Sequence, residues 1–147
     1  MDHLTASGCL IPADAWHRLG PMDESFFIDY VDVEWGLRAA RAGLRCYGVC
    51  DAHMEHPLGE APARALGRRV VTHPPARNYY FFRNGVRLIR SPDLRPAWRF
   101  CEARRLALRF AFYLVFGHPR LQHLSHILRG IHHGWRGISG PDSPPTT

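Results

Sequence analysis

Short amphipathic stretches alternate with breaks set by proline and glycine, and this rhythm divides the chain into predicted elements. Residues 11–19, IPADAWHRL, open around Pro12 and stop at Gly20, the punctuation of a short helix. Trp16 and Leu19 fall on its core side, and His17 and Arg18 point to solvent. Gly20-Pro21 then interrupts the chain, and residues 22–28 read as an extended segment. Apolar Phe26, Phe27 and Ile28 give way to Asp29, Asp32 and Glu34. Trp35, Leu37 and Arg38 continue at helical spacing until Gly43, which suits a helix C-terminus. Carboxylates in a first turn complement the positive end of a helix, and Asp29 or Asp32 serves equally well as its cap. Glu34 precedes Arg38 by four residues, the order that forms a surface ion pair. Residues 44–49, LRCYGV, read as a short strand.

The segment from Gly59 to Pro75 is rich in Ala, Arg, Gly and Pro and reads as a mobile loop. A helix is predicted from about residue 76 to Ile89, apolar on one side and studded with Arg77, Arg83, Arg87 and Arg90. Residues 98–116 form a second helix carrying Arg99, Arg104, Arg105 and Arg109 among large apolar side chains. His118-Pro119 breaks it before a third helix over 120–135. The Gly- and Pro-rich tail from Ser139 is predicted to be disordered. The chain is thus expected to divide into residues 1–60, a loop over 61–75, a basic helical region over 76–138 and a tail over 139–147.

Composition narrows the class. A chain of 147 residues, 46% apolar and 22% charged, is long enough and apolar enough to bury a real core. The net charge of +6 suits anionic partners such as nucleotide-sugar diphosphates or acidic lipid headgroups. Nucleic acid draws on the same charge, yet no recognised nucleic-acid module is visible, so none is expected as a partner. Four cysteines without paired spacing and no secretory apolar region argue for a reducing, cytoplasmic setting. No run of apolar residues is long enough to span a bilayer. The basic, aromatic-rich helices over 98–135 fit a membrane surface, or a packing face for another domain. Cys46, Cys50, His53 and His56 spell C-x3-C-x2-H-x2-H, a set of soft zinc ligands. Their spacing is tighter than a zinc finger's, because no intervening segment lets the two pairs converge.

Several of these stretches occur together in one known family. Ser7-Gly8-Cys9 is followed by a short helix, then by Gly20, Met22, Asp23, Glu24, Phe26 and Phe27. Asp32 to Arg38 then match the acidic motif E-D-x-D-x-x-x-R, with Val31 in place of the leading Glu and Glu34 in place of the second Asp. This order resembles the acceptor-side half of family 2 glycosyltransferases, most closely the rhamnosyltransferase branch. Further on, His73-Pro74-Pro75-Ala76-Arg77-Asn78-Tyr79-Tyr80-Phe81-Phe82-Arg83-Asn84 is similar to that branch's H-x-P-x-R-x-Y-Y-x-x-R-N stretch. The resemblance is close over residues 5–56 and looser beyond.

The resemblance implies an α/β fold: a partial GT-A-like unit, the acceptor-side half of a Rossmann-like nucleotide-diphospho-sugar transferase, followed by C-terminal amphipathic helices. It implies inverting transfer, with Asp32 as catalytic base and Glu34 beside it positioning the acceptor. Ser7, Gly8, Asp29, Trp35 and Arg83 are the substrate-binding candidates. His56 is the candidate ligand of a divalent Mg2+ or Mn2+ that bridges the leaving diphosphate. The implied partners are a dTDP-rhamnose-like donor and a cell-surface polysaccharide or lipid-linked glycan acceptor, met at the inner face of the bacterial plasma membrane. No Asp-x-Asp motif stands ahead of the Ser-Gly-Cys turn, so the donor-binding half is expected to lie in a larger enzyme. The alternative is a non-catalytic membrane- or partner-binding module derived from such an enzyme.

Overall fold

A computed structural model describes residues 5–55, 63–65, 68–70, 73–92 and 94–142. The chain divides into two units, Met1–Pro57 and Leu58–Thr147. The first holds helix α1 (Ala13–Leu19), a 3-10 turn over Glu24–Phe26 and helix α2 (Val31–Arg41). A helix as short as α1 leaves its last carbonyls without partners inside the helix, and α2 supplies the donors. The Arg38 guanidinium donates to the Leu19 carbonyl at 2.7 Å and to the Pro21 carbonyl at 2.9 Å. Between them the Trp35 indole N–H donates to the Gly20 carbonyl at 3.0 Å. The Trp16 and Trp35 rings stack with centroids 6.3 Å apart, beside buried Ala15 and Ala39. Ala15 therefore takes the core position expected of Trp16, which keeps an exposed edge because its ring covers Trp35 from the side.

Helix α2 ends as the sequence predicts. Gly43 adopts φ +83°, its N–H donates to the Ala40 carbonyl, and the Leu44 N–H reaches back to Ala39, which is a Schellman closure. The strand expected over 44–49 does not form. A strand needs a neighbour for its ladder, and no segment among the described residues of this unit pairs with it; Tyr47 and Val49 are exposed.

The second unit opens with a short antiparallel hairpin, β1 (Ala63–Ala65) and β2 (Arg68–Val70), with Ala63 opposite Val70. These strands fall in the stretch read as a loop. Three helices follow: α3 (Pro75–Arg90), α4 (Pro96–Phe116) and α5 (Arg120–Arg136). Proline stands at or just before the first residue of each, where its missing N–H costs nothing and its fixed φ favours the helix. Phe82, Leu106, Tyr113 and Ile127 form the core, with Phe81, Val86, Ile89 and Phe110 packed around them.

The closest contact in the unit runs between α3 and α5. Gly130 and Gly134 lie one turn apart on α5, and a Cβ at either would stand 2.4 Å from a backbone oxygen of α3, that of Tyr79 or Arg83. Only hydrogen fits there. At this separation the polar side chains of α3 are enclosed, and each must find a partner. Arg109 donates to Asn78 Oδ1 through Nε at 3.2 Å and through its terminal nitrogen at 3.0 Å. That bond turns the Asn78 amide nitrogen toward His123 Nδ1, 2.9 Å away, so Nδ1 accepts and Nε2–H is left to donate to the His118 carbonyl at 3.3 Å. Tyr79 Oη and His133 Nδ1 meet at 2.8 Å. Burial raises the Tyr79 pKa, with the Asp142 charge adding to it and Arg83 opposing, and burial lowers that of His133, helped by Arg129. The pair therefore holds as a phenol donating to a neutral imidazole.

The tail begins with order where the sequence predicts disorder. Gly137 at φ +72° closes α5, and the Gly140 carbonyl accepts from Arg83. Asp142 pairs with Arg129, and its N–H donates to Tyr80 Oη at 2.8 Å. Buried and half-buried donors on α3 and α5 hold this segment; residues 143–147 lie outside the described residues.

Two outcomes follow. Gly134→Ala lowers unfolding free energy by about 1–3 kcal/mol, since the helix backbones must separate to admit a methyl; urea denaturation followed by far-UV circular dichroism measures it. Burial, aided by the charges of His126 and Arg109, lowers the His123 pKa from 6.5, so the unfolded chain binds protons more readily than the fold. Stability is then complete above about pH 6.5 and falls as the pH drops toward the depressed value. Thermal melts across that window show the slope, and His123→Gln flattens it.

Candidate functional site

Helix α2 begins from a backbone that L-residues rarely adopt. Phe27, Asp29 and Tyr30 have φ of 64°, 60° and 66°. Phe27 sits at the centre of a γ-turn of the strained hand, with the Ile28 N–H donating to the Phe26 carbonyl at 2.8 Å. Each such residue costs on the order of 1–3 kcal/mol, and positions of this kind cluster at functional sites. Tyr30 caps the helix in the left-handed conformation; its carbonyl accepts the first helical bond from Glu34 at 2.8 Å, and its buried ring holds the turn.

One residue into the helix stands Asp32. Its Oδ2 accepts from the Ala6 N–H at 3.1 Å and its Oδ1 from the Val33 N–H at 2.9 Å. The first of these bonds brings Asp32 against the Ser7-Gly8 turn, which closes through the Cys9 N–H donating to the Ala6 carbonyl at 3.1 Å. Gly8 lies at φ +71°, the left-handed value a turn of this kind needs at its third residue, and Met54 packs 3.2 Å from where its Cβ would be. Three of the candidate residues, Ser7, Gly8 and Asp32, are thus neighbours. The carboxylate is half-buried and uses two of its roughly four lone-pair sites on backbone, which leaves room for a hydroxyl or a cation. It also lies in the first turn of α2, where the helix end favours the anion.

The other candidates fall elsewhere. Glu34 is held by Arg38 at 3.0 Å, the i,i+4 pair, and through it by the carbonyls at the end of α1. Asp29 lies in the strained turn, half-buried. Trp35 is buried but lines an open cleft of about 270 Å³ with Cys9, Ile11, Ala39, Arg45 and Tyr47. Arg83 belongs to the second unit and is wholly enclosed, donating to Asn84 Oδ1 at 3.0 Å and to the Gly140 carbonyl, with the Tyr79 and Tyr80 rings within 5.5 Å. His56 lies outside the described residues, and so the C-x3-C-x2-H-x2-H set is described only as far as His53. Cys46 and Cys50 are thiols, and among the described residues no three His, Cys, Asp or Glu side chains gather to hold a metal ion. Ala6 and Met54 carry no motif signal and enter by position alone; Arg38 closes the acidic motif, but its bonds to the Leu19 and Pro21 carbonyls are not readable from that motif.

Comparison with known proteins points to an enzyme class. The chain is similar to a glycosyltransferase over nearly its whole length. That protein is the dTDP-rhamnosyl transferase RfbF of Shigella flexneri, 29% identical over 136 residues, which are 92% of this chain. The chain spans 46% of the length of that relative. No protein-family model matches the chain, and no solved structure does.

Arg38 orients α2, and with it Asp32, by tying the helix to the loop that follows α1. Arg38→Met leaves the Leu19 and Pro21 carbonyls without donors and destabilises the first unit by about 1–3 kcal/mol. Denaturant titration followed by tryptophan fluorescence, which reports the Trp16–Trp35 stack, measures the loss.

Proposed function

We propose that the chain supplies the acceptor side of an inverting glycosyltransferase, which moves rhamnose from a dTDP-linked donor to a hydroxyl of a polysaccharide or lipid-linked glycan. The observation that carries this reading is the placement of Asp32. Its carboxylate stands at the start of α2, against the Ser7-Gly8 turn, with lone pairs still open. The similarity to a rhamnosyl transferase supports the sugar, and the match of Asp32 to Arg38 with the acidic motif supports the role.

In the reaction the acceptor oxygen attacks the anomeric carbon while the bond from that carbon to the diphosphate breaks. The hydroxyl proton passes to Asp32, and the bonding electron pair leaves with the diphosphate. Ser7 and Gly8 present exposed backbone beside the carboxylate, where an acceptor hydroxyl is held. Glu34 acts through Arg38, fixing the angle at which α2 presents Asp32, so it is a positioning residue. A divalent cation, with His56 as its protein ligand, belongs to the same reading and would neutralise the departing diphosphate.

The test is Asp32→Asn in the enzyme joined to its donor-binding portion. Turnover falls by about 10²–10⁴-fold, the usual worth of a general base, while the Kd for the dTDP-sugar stays within about twofold of wild type on a scale where tenfold is 1.4 kcal/mol. Unchanged turnover removes Asp32 from the role.

A further inference from the structure

The arginines are not spread evenly. Leu58–Thr147 carries 15 of the 19 basic residues, all arginine, and four carboxylates. The two carboxylates of this unit among the described residues are both engaged: Glu102 is buried and pairs with Arg105 at 3.0 Å, and Asp142 pairs with Arg129. The exposed surface of α4 and α5 mixes large apolar side chains with arginines and carries no free carboxylate among the described residues.

On α5, Leu121, Leu124, Leu128, Ile131 and Trp135 recur at spacings of three and four, the arrangement that lines one face of a helix. Leu121, Leu128 and Trp135 are 82%, 52% and 67% exposed. On α4, Phe100 and Leu108 are exposed one turn to either side of Arg104, and Leu114 and Val115 continue outward. The two helices share an open apolar cleft of about 270 Å³, to which α4 contributes Ala107 and Phe110, α5 contributes Leu128 and Ile131, and α3 contributes Phe82 and Val86. The cleft joins the α5 stripe to Ala107 and Phe110 of α4, and the exposed apolar residues of α4 flank it. Arg120 and Arg136 stand at the two ends of the α5 stripe, and Arg104 interrupts the α4 stripe; Arg104 and Arg136 meet no carboxylate among the described residues. Arg90 lies over one side of the Trp135 ring at 4.6 Å and leaves the rest outward. Among the described residues no helix is long and apolar enough to cross a membrane.

We infer that this α4–α5 face docks flat on a bilayer of anionic phospholipid. Apolar side chains enter the acyl boundary and the arginines meet the phosphates. Charge decides among the occupants. A second copy would set an arginine-rich face against another with no acid between them, whereas an anionic headgroup layer supplies the missing charge at every rim position. Trp135, with an apolar body and an indole N–H, suits the interface between the two layers. Docking of this face is independent of the role of Asp32.

The test is flotation of the full chain with vesicles of phosphatidylglycerol mixed with phosphatidylethanolamine, against vesicles of phosphatidylcholine alone. The chain floats with the anionic vesicles and not with the neutral ones, and 0.5 M NaCl releases part of it at a Debye length of about 4 Å. Arg104→Glu with Arg136→Glu lowers partitioning by about tenfold or more. Leu128→Asp and Trp135→Glu, both at exposed positions, lower it while leaving the circular dichroism melt unchanged. Equal flotation with neutral vesicles, no flotation, or undiminished binding by either set of variants overturns the inference. A dimer by sedimentation equilibrium that Leu128→Asp dissolves, with no vesicle binding, assigns the face to a second copy instead.

Discussion

The helical unit depends on the absence of two methyl groups. Where Gly130 and Gly134 face the Tyr79 and Arg83 carbonyls, α5 lies directly on the backbone of α3. Close approach of two helices encloses whatever the facing surfaces carry, and α3 carries Asn78, Arg83 and Asn84 there, all without solvent exposure. Enclosed polar groups without partners are costly, so the remaining elements are arranged to serve them. Arg109 comes from α4, His123 from α5 and the Gly140 carbonyl from the tail. Residues 139–142 are held by the same two helices, through Arg83, Tyr80 and Arg129.

The first unit solves a different problem. Beside the Trp16–Trp35 stack, its organising contacts are donors from α2 to the carbonyls at the end of α1 and just beyond it. This arrangement fixes α2 from its middle, at Trp35 and Arg38, and leaves the first turn to be set by the strained stretch ahead of it. Asp32 lies between these two constraints. Its position reflects the rigidity of the helix behind it and the bond from Ala6 in front.

Much of the fold is legible from proline and glycine. His118-Pro119 marks the start of α5 and Gly43 the end of α2, and α3 and α4 begin within two residues of the expected 76 and 98. Those signals are local, and so a single sequence can carry them. The strand over 44–49 failed for the opposite reason: a ladder depends on a second segment that the stretch itself does not name. The pairing of Asn78 with His123, 45 residues apart, and the docking of the tail are equally nonlocal. Gly130 and Gly134 are equally silent in the sequence, because a glycine within a helix does not announce the backbone it will touch. At the candidate site, Asp32 and the Ser7-Gly8 turn were readable as motifs. Arg83 is readable as the arginine of the H-x-P-x-R-x-Y-Y-x-x-R-N stretch and so as a binding candidate, whereas its enclosure comes from α5 and the tail.

The backbone around Phe27, Asp29 and Tyr30 carries one more implication, for variation. Phe27 is largely exposed and Asp29 only half-buried, and surface positions ordinarily accept most side chains. Here the filter is the main chain: Val, Ile and Thr, branched at Cβ, are poorly suited to positive φ, while Gly enters it readily and Asn and Asp do so in the left-handed helical region. Among related chains that keep this bend, the permitted alphabet at these positions is set by conformation before chemistry. A run of Asn, Asp and Gly just ahead of the acidic helix then marks the same bend, even where no side chain is shared.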